Sequence, residues 1–275
     1  MSWPKQLFHF YLDASIHVAL AVFALVKVTS LNLNISANGH LAWFLFFATI
    51  CCYNFIKYGV EAEKYILVST SYQKHIQGVS FLAGAMGGYH FFFLSSAIWI
   101  GLSFLAVMVA LYALPLLPQH QNLRNWAGLK VFIVAGVWAA TTVFLPAWDA
   151  LGLYGWDLWI EALQRFIVVL VLLLPFEIRD LAYDAPELQT LPQRLGVERT
   201  RKLGVVLAVF FFLLTFAKDD LTAFLWMTYG LVFMVLLWVL CRTSKNQSPY
   251  FSAFLVEGVP VFWWLLCLAF LELGP

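Results

Sequence analysis

The chain has 275 residues, of which 63% are hydrophobic and 11% charged, against about 25% charged in a soluble domain. It cannot cover a water-facing surface, so it must take lipid as solvent and close its backbone hydrogen bonds within helices or a barrel. A net charge of +1 gives no case for nucleic-acid binding. The apolar runs are long and unbroken, unlike the alternating segments of about ten residues that mark a membrane barrel. The expected fold is therefore all-α, a polytopic transmembrane bundle in one domain, residues 1–275.

Met1 to Leu7 carries Trp3 and Pro4 ahead of any apolar run and no small-residue cleavage site, so no cleaved signal peptide is expected. A helix needs about 20 apolar residues to cross a bilayer. On that measure about nine spans follow: 9–29, 40–58, 76–92, 94–114, 128–148, 159–179, 203–217, 221–241 and 251–272. The uncharged run from Val79 to Tyr112 is too long for one span and short for two. The 26 Phe and 12 Trp suit lipid-facing and interfacial surfaces or an apolar tunnel. Cys51, Cys52, Cys241 and Cys267 lie in or beside apolar runs without CxxC spacing and read as packing residues.

With the N-terminus in the cytoplasm, 13 of the 16 basic residues fall in inside segments. The exceptions are Lys27, Arg165 and Lys218. Fusing the third and fourth spans would destroy this bias, which favours splitting the run. Two long polar loops, about 57–76 and 178–202, then lie on the cytoplasmic face and could cap a site between themselves and the bundle.

The second loop opens Glu177-Ile178-Arg179-Asp180, followed by Tyr183-Asp184, Thr190-Leu191-Pro192 and Leu195-Gly196. If the sixth span continues as a helix, Asp180 and Asp184 share a face that Glu177 can join. Carboxylates clustered at a membrane mouth suit a hard cation such as Mg²⁺, which bridges protein carboxylates to substrate phosphates. The plainer alternative is a solvated helix end whose charges set topology.

This stretch resembles the second aspartate-rich motif of the UbiA superfamily of intramembrane prenyltransferases. Tyr112-Ala113-Leu114-Pro115-Leu116 is similar to a further element of that family. The resemblance implies nine helices, with both aspartate-rich motifs on the cytoplasmic side. It also implies an isoprenyl diphosphate held through Mg²⁺ in a lipid-accessible cavity, and transfer of the prenyl group to a hydrophobic acceptor. Asp180, Asp184 and Asn54 would then be catalytic; Glu177, Asp180 and Asp184 would hold metal; Lys57, Lys64, Lys74, Arg179 and Tyr183 would bind substrate.

The first motif departs from the family pattern. Asn54 fits, but Phe55, Tyr58 and Ala62 stand where aspartates are expected, and Glu61 and Glu63 are out of register. In the second motif Glu177 replaces the leading aspartate. Lys57, with Lys64 or Lys74, could replace one metal as a direct counter-ion for diphosphate; alternatively it snorkels to the interface.

Ionisable groups within spans are costly and so are site candidates. His9, Asp13 and His17, at i, i+4 and i+8, are expected to share a helix face. Glu161 and Arg165 make an i, i+4 pair. His90 reads as a packing residue, and Glu257 has no partner in the sequence. Two other functions stay open: a diverged protein that binds an isoprenoid or other lipid without catalysis, and a transporter using His9, Asp13, His17 and Glu257. There is no P-loop, zinc motif or nucleophile elbow.

Overall fold

A computed structural model describes residues 3–60, 70–115, 123, 126, 128–150 and 155–273. Lys64, Glu61, Ala62, Glu63, Leu116 and Arg124, and with them most of the first polar loop, lie outside the described residues.

The described chain is helical throughout. In order come α1 (Trp3–Asp13), α2 (Ile16–Asn32), α3 (Gly39–Asn54), α4 (Ser71–Phe91), α5 (Ser96–Ala113), α6 (Lys130–Ala139) and α7 (Leu145–Asp149). They are followed by α8 (Trp156–Asp180), α9 (Leu191–Leu195), α10 (Val197–Leu213), α11 (Ala223–Arg242) and α12 (Val259–Leu273). Wide π-turns extend α3 over Phe55–Val60, join α6 to α7 over Ala140–Phe144, and precede α12 over Phe251–Val256.

Seven of these segments are long and apolar enough to cross a membrane, and α1 with α2 makes an eighth, broken span. α4 is 21 residues long, but its first turns carry Gln73, Lys74, His75 and Gln77. The protein is thus an integral, multi-pass membrane protein. The Val79–Tyr112 run divides as expected: α4 ends at Phe91, and the Ser95 hydroxyl caps α5 by accepting from the Ile98 amide at 3.4 Å.

The first span differs from expectation. α1 and α2 meet at 58°, because Ser15 adopts φ 59°, a left-handed conformation that ends a helix.

α8 is the axis of the bundle. Its apolar window is 78% buried, against 22–44% in the other spans, because Ile167 to Leu174 are apolar on nearly every face. It packs against α6, α10 and α11, while α2 packs against α3 and α12. Close approach needs small side chains: a Cβ on Gly204 of α10 would meet Leu240 Cδ2 at 2.6 Å and Leu174 Cδ1 at 2.8 Å. Large apolar side chains such as Phe81, Phe92, Phe104 and Val206 stay exposed for lipid. All four cysteines are free.

Candidate functional site

Polar side chains gather at the two opposite ends of α8. At its N-terminal end the Glu161 carboxylate accepts from Arg165 Nη2 at 3.0 Å and Lys218 Nζ at 2.6 Å. It also accepts from the Tyr229 hydroxyl and from Asn32 Nδ2 at 3.2 Å. Arg165 further donates to Leu25 O at 2.9 Å, Thr142 Oγ1 at 3.2 Å and Thr29 Oγ1 at 3.1 Å. Its guanidinium lies 5.3 Å from the centre of the Trp263 ring. Glu161 and Arg165 are fully buried and Lys218 nearly so. Two of the three basic residues that break the inside bias therefore serve as interior ion partners.

The C-terminal end of α8 carries the motif residues. Glu177, 4% exposed, is paired with Lys130 Nζ at 3.0 Å. Arg179 grips Asp180 with both arms, Nε to Oδ1 at 2.7 Å and Nη2 to Oδ2 at 3.0 Å. α8 stops at Asp180, but one closing turn follows: the Asp184 amide donates to Asp180 O at 2.9 Å. Asp184 comes close enough for its charge to act on Lys130 and Glu177. Tyr183 points outward, 88% exposed.

The Thr-Leu-Pro element is built for folding. The Thr190 amide donates to Gln193 Oε1 at 2.9 Å, Pro192 sits in the first turn of α9, and Gly196 takes φ 79° to stop it. Gln193 Nε2 then donates to Asp184 O at 3.2 Å and Ala185 O at 3.1 Å, which fixes the turn carrying Asp184.

The first-motif region approaches the same end from α3. Asn54, expected to be catalytic, is buried and engaged in structure: it accepts from Ser15 Oγ at 2.8 Å and donates to Ala14 O at 3.1 Å and Ser80 Oγ at 2.9 Å. It thereby locks the α1–α2 break against α3 and α4. Lys57 Nζ lies 3.4 Å from Asp13 Oδ1, and Tyr72 donates to Asp13 Oδ2 at 2.8 Å. Lys74 is exposed on the first turn of α4. Beside Asn54, a cavity of about 770 Å³ opens between α3 and α4, lined by Cys51, Tyr58, Gly59, Gln77, Ser80 and Gly84 among others.

His9, Asp13 and His17 do not share a face, because the Ser15 break rotates α2 away from α1. His9 meets the Tyr250 hydroxyl at 2.7 Å. His17 bonds Phe254 O through Nε2 at 2.9 Å, so that nitrogen carries the proton, and Nδ1 accepts from Tyr11 at 2.7 Å. His90 pairs with His40 across Nδ1 atoms 3.0 Å apart and packs on Phe47.

Two polar groups result: Asp13 with Lys57 and Tyr72 beyond the end of α3, and Arg179, Asp180, Glu177 and Lys130 at the end of α8, with Asp184 beside the last two. Among the described residues no three His, Cys, Asp or Glu side chains converge to hold a metal ion. Two of the three expected ligands are already neutralised by their own cations. The described donor set does not fit a multi-carboxylate Mg²⁺ site. The cations Lys57, Lys130 and Arg179 are the groups that suit a phosphate.

A scan of the sequence against protein-family models finds no match, and a search of curated proteins by sequence finds none. The fold itself is shared. A UbiA homolog from Aeropyrum pernix K1 superposes with TM-score 0.65 at 12% identity, covering 91% of this chain and 97% of that one. A UbiA homolog from Archaeoglobus fulgidus, bound to DMAPP and Mg²⁺, gives TM-score 0.59 at 13% identity over 94% and 98%. A digeranylgeranylglyceryl phosphate synthase gives 0.55 at 12% identity over 96% of each chain. The chain has the UbiA fold.

Proposed function

We propose that this protein is an intramembrane prenyltransferase of the UbiA superfamily, with its polar mouth on the cytoplasmic side. An isoprenyl diphosphate lodges its diphosphate among Lys57, Arg179 and Lys130 and runs its chain into the apolar bundle. The observation that carries the reading is the gathering, in a UbiA fold, of Arg179 and Lys130 with Asp180 and Asp184 at one end of α8. Charge-assisted contacts to the leaving oxygens would stabilise the departing diphosphate, and the water-poor interior would protect the allylic cation. Asp180 holds Arg179 in place, and the loop over 178–202 closes the mouth.

The neighbour bound to DMAPP and Mg²⁺ makes Mg²⁺ a natural requirement to test. The pairing of Glu177 and Asp180 with protein cations favours diphosphate binding that survives removal of the metal. Geranylgeranyl diphosphate binding to purified protein, with Mg²⁺ or with EDTA, tests this. Retention in EDTA and loss in Lys57→Met/Arg179→Met supports the reading; no binding in either condition overturns it.

The same internal pairing of the carboxylates favours one second reading, an isoprenoid-binding protein without catalysis. Binding with no release of diphosphate in the presence of any acceptor would select it.

A further inference from the structure

The cavity between α3 and α4 is lined by none of the cations assigned to diphosphate. α3 turns Tyr53 toward α6, where its hydroxyl accepts from Trp138 Nε1 at 3.1 Å, and presents Ala48, Cys51, Cys52 and Phe55 to the cavity. Those four stand at i, i+3, i+4 and i+7, one face of a helix. α4 faces them with Gln73, Gln77, Ser80 and Gly84, spaced in the same way. Along α4 the lining runs from Gln73 to Ala85, about 18 Å at 1.5 Å per residue. That is a little over half of a hydrocarbon core about 30 Å thick, the depth of one leaflet.

The two ends of the cavity differ. Near the start of α4 its walls are the Gln73 and Gln77 amides and the Tyr58 hydroxyl; further along the helices they are Ala48, Phe81, Gly84 and Ala85. Between the ends, Asn54 Nδ2 donates to Ser80 Oγ at 2.9 Å and Ser80 Oγ to Ile76 O at 3.0 Å, so these polar groups are spent on the fold. Among the described residues no Asp, Glu, Lys or Arg lines the cavity. A carboxylate or phosphate entering it would lose its hydration without gaining a counter-ion. An uncharged hydroxyl suits the polar end, because amides and a phenol supply both donors and acceptors. The volume of about 770 Å³ falls within the range of small-molecule sites, about 300–1,000 Å³.

We propose that this cavity binds an uncharged single-chain amphiphile, a long-chain alcohol, with its hydroxyl among Gln73, Gln77 and Tyr58 and its tail running between α3 and α4 toward Gly84. The site does not depend on prenyl transfer. Phe81, 71% exposed, and the exposed Ala85 border the tail end on the lipid side, so the ligand enters sideways from the bilayer. Glycine makes the room at that end. A Cβ on Gly84 would touch only Cys51 Sγ, at 3.7 Å, an ordinary contact, so a larger side chain there fills the cavity without straining the helix. Gly78, on the same helix, has nothing within 4 Å of its Cβ position and does not line the cavity.

The test uses the full-length protein in phosphatidylcholine nanodiscs and a geranylgeraniol analogue with a photoreactive diazirine at the end of its chain. Adducts are mapped by peptide mass spectrometry. Saturable labelling is expected on the peptides holding residues 48–59 and 73–85, displaced by geranylgeraniol and not by geranylgeranyl diphosphate. Gly84→Leu should lower the adduct yield at least ~10-fold, while Gly78→Leu stays within about 2-fold of wild type. Leucine favours a helix more than glycine does, so both variants are expected to fold. Labelling that does not saturate, or that falls equally on lipid-facing Phe104 and Val206, means annular lipid only and overturns the proposal. So does Gly84→Leu labelled like wild type, or displacement by the diphosphate as readily as by the alcohol. Should Gly84→Leu not fold, Ala85→Leu decides: labelling equal to wild type counts against the site.

Discussion

The two ends of α8 use the same chemistry to opposite effect. At the Glu161 end, one carboxylate, two cations, a phenol and an amide are sealed among helices, each charge meeting its partner within 3.2 Å. At the Asp180 end, the cations Lys130 and Arg179 stand partly open to solvent. A closed ionic cluster positions helices; an open one leaves charge available to a ligand. The difference is between ion pairs shut away from solvent inside the bundle and ion pairs partly open to it.

Removing the anion of the closed end should have the largest effect. Glu161→Leu leaves Arg165 and Lys218 buried without a counter-charge, a loss of about 3–5 kcal/mol, read as a fall in the thermal midpoint in detergent. An unchanged midpoint would break the contrast between the two ends. Next comes Asn54→Leu, which strips the lock from the α1–α2 break; about 2 kcal/mol is expected from the partners left unsatisfied, visible in the same melting assay. Lys57→Met or Arg179→Met should weaken geranylgeranyl diphosphate binding by about 10-fold, the scale of one charge-assisted contact. Their melting midpoints should hardly move, since exposed ion pairs contribute only about 0–1 kcal/mol. The smallest effect belongs to Tyr183→Ala: with the side chain in solvent, binding should change by less than about 2-fold, and a larger loss in calorimetry would draw Tyr183 into the mouth.

What could be read from the sequence was what lies within one helix. The i, i+4 spacing of Glu161 and Arg165 foretold their ion pair, and the charge bias foretold the break between α4 and α5. The spacing of His9, Asp13 and His17 misled, because an α-helical face exists only while the helix does, and Ser15 ends it. Lys218 joined Glu161 from 57 residues away, a partnership that periodicity cannot see. Asn54 matched a motif position, but its role in holding three helices emerged only with Ser15 and Ser80 in place.

The π-turns have a consequence for how this architecture can be inherited. α2 is fastened to main-chain carbonyls of two π-turns: Thr29 donates to Thr142 O at 2.7 Å, and His17 bonds Phe254 O at 2.9 Å, a carbonyl that also accepts from the Gly258 amide. In each contact the accepting side is backbone, which no substitution deletes. Only the donor on α2 is open to mutational loss, while the facing helices can exchange side chains freely. Fastenings of this kind let an ancestral scaffold outlast most of its residues.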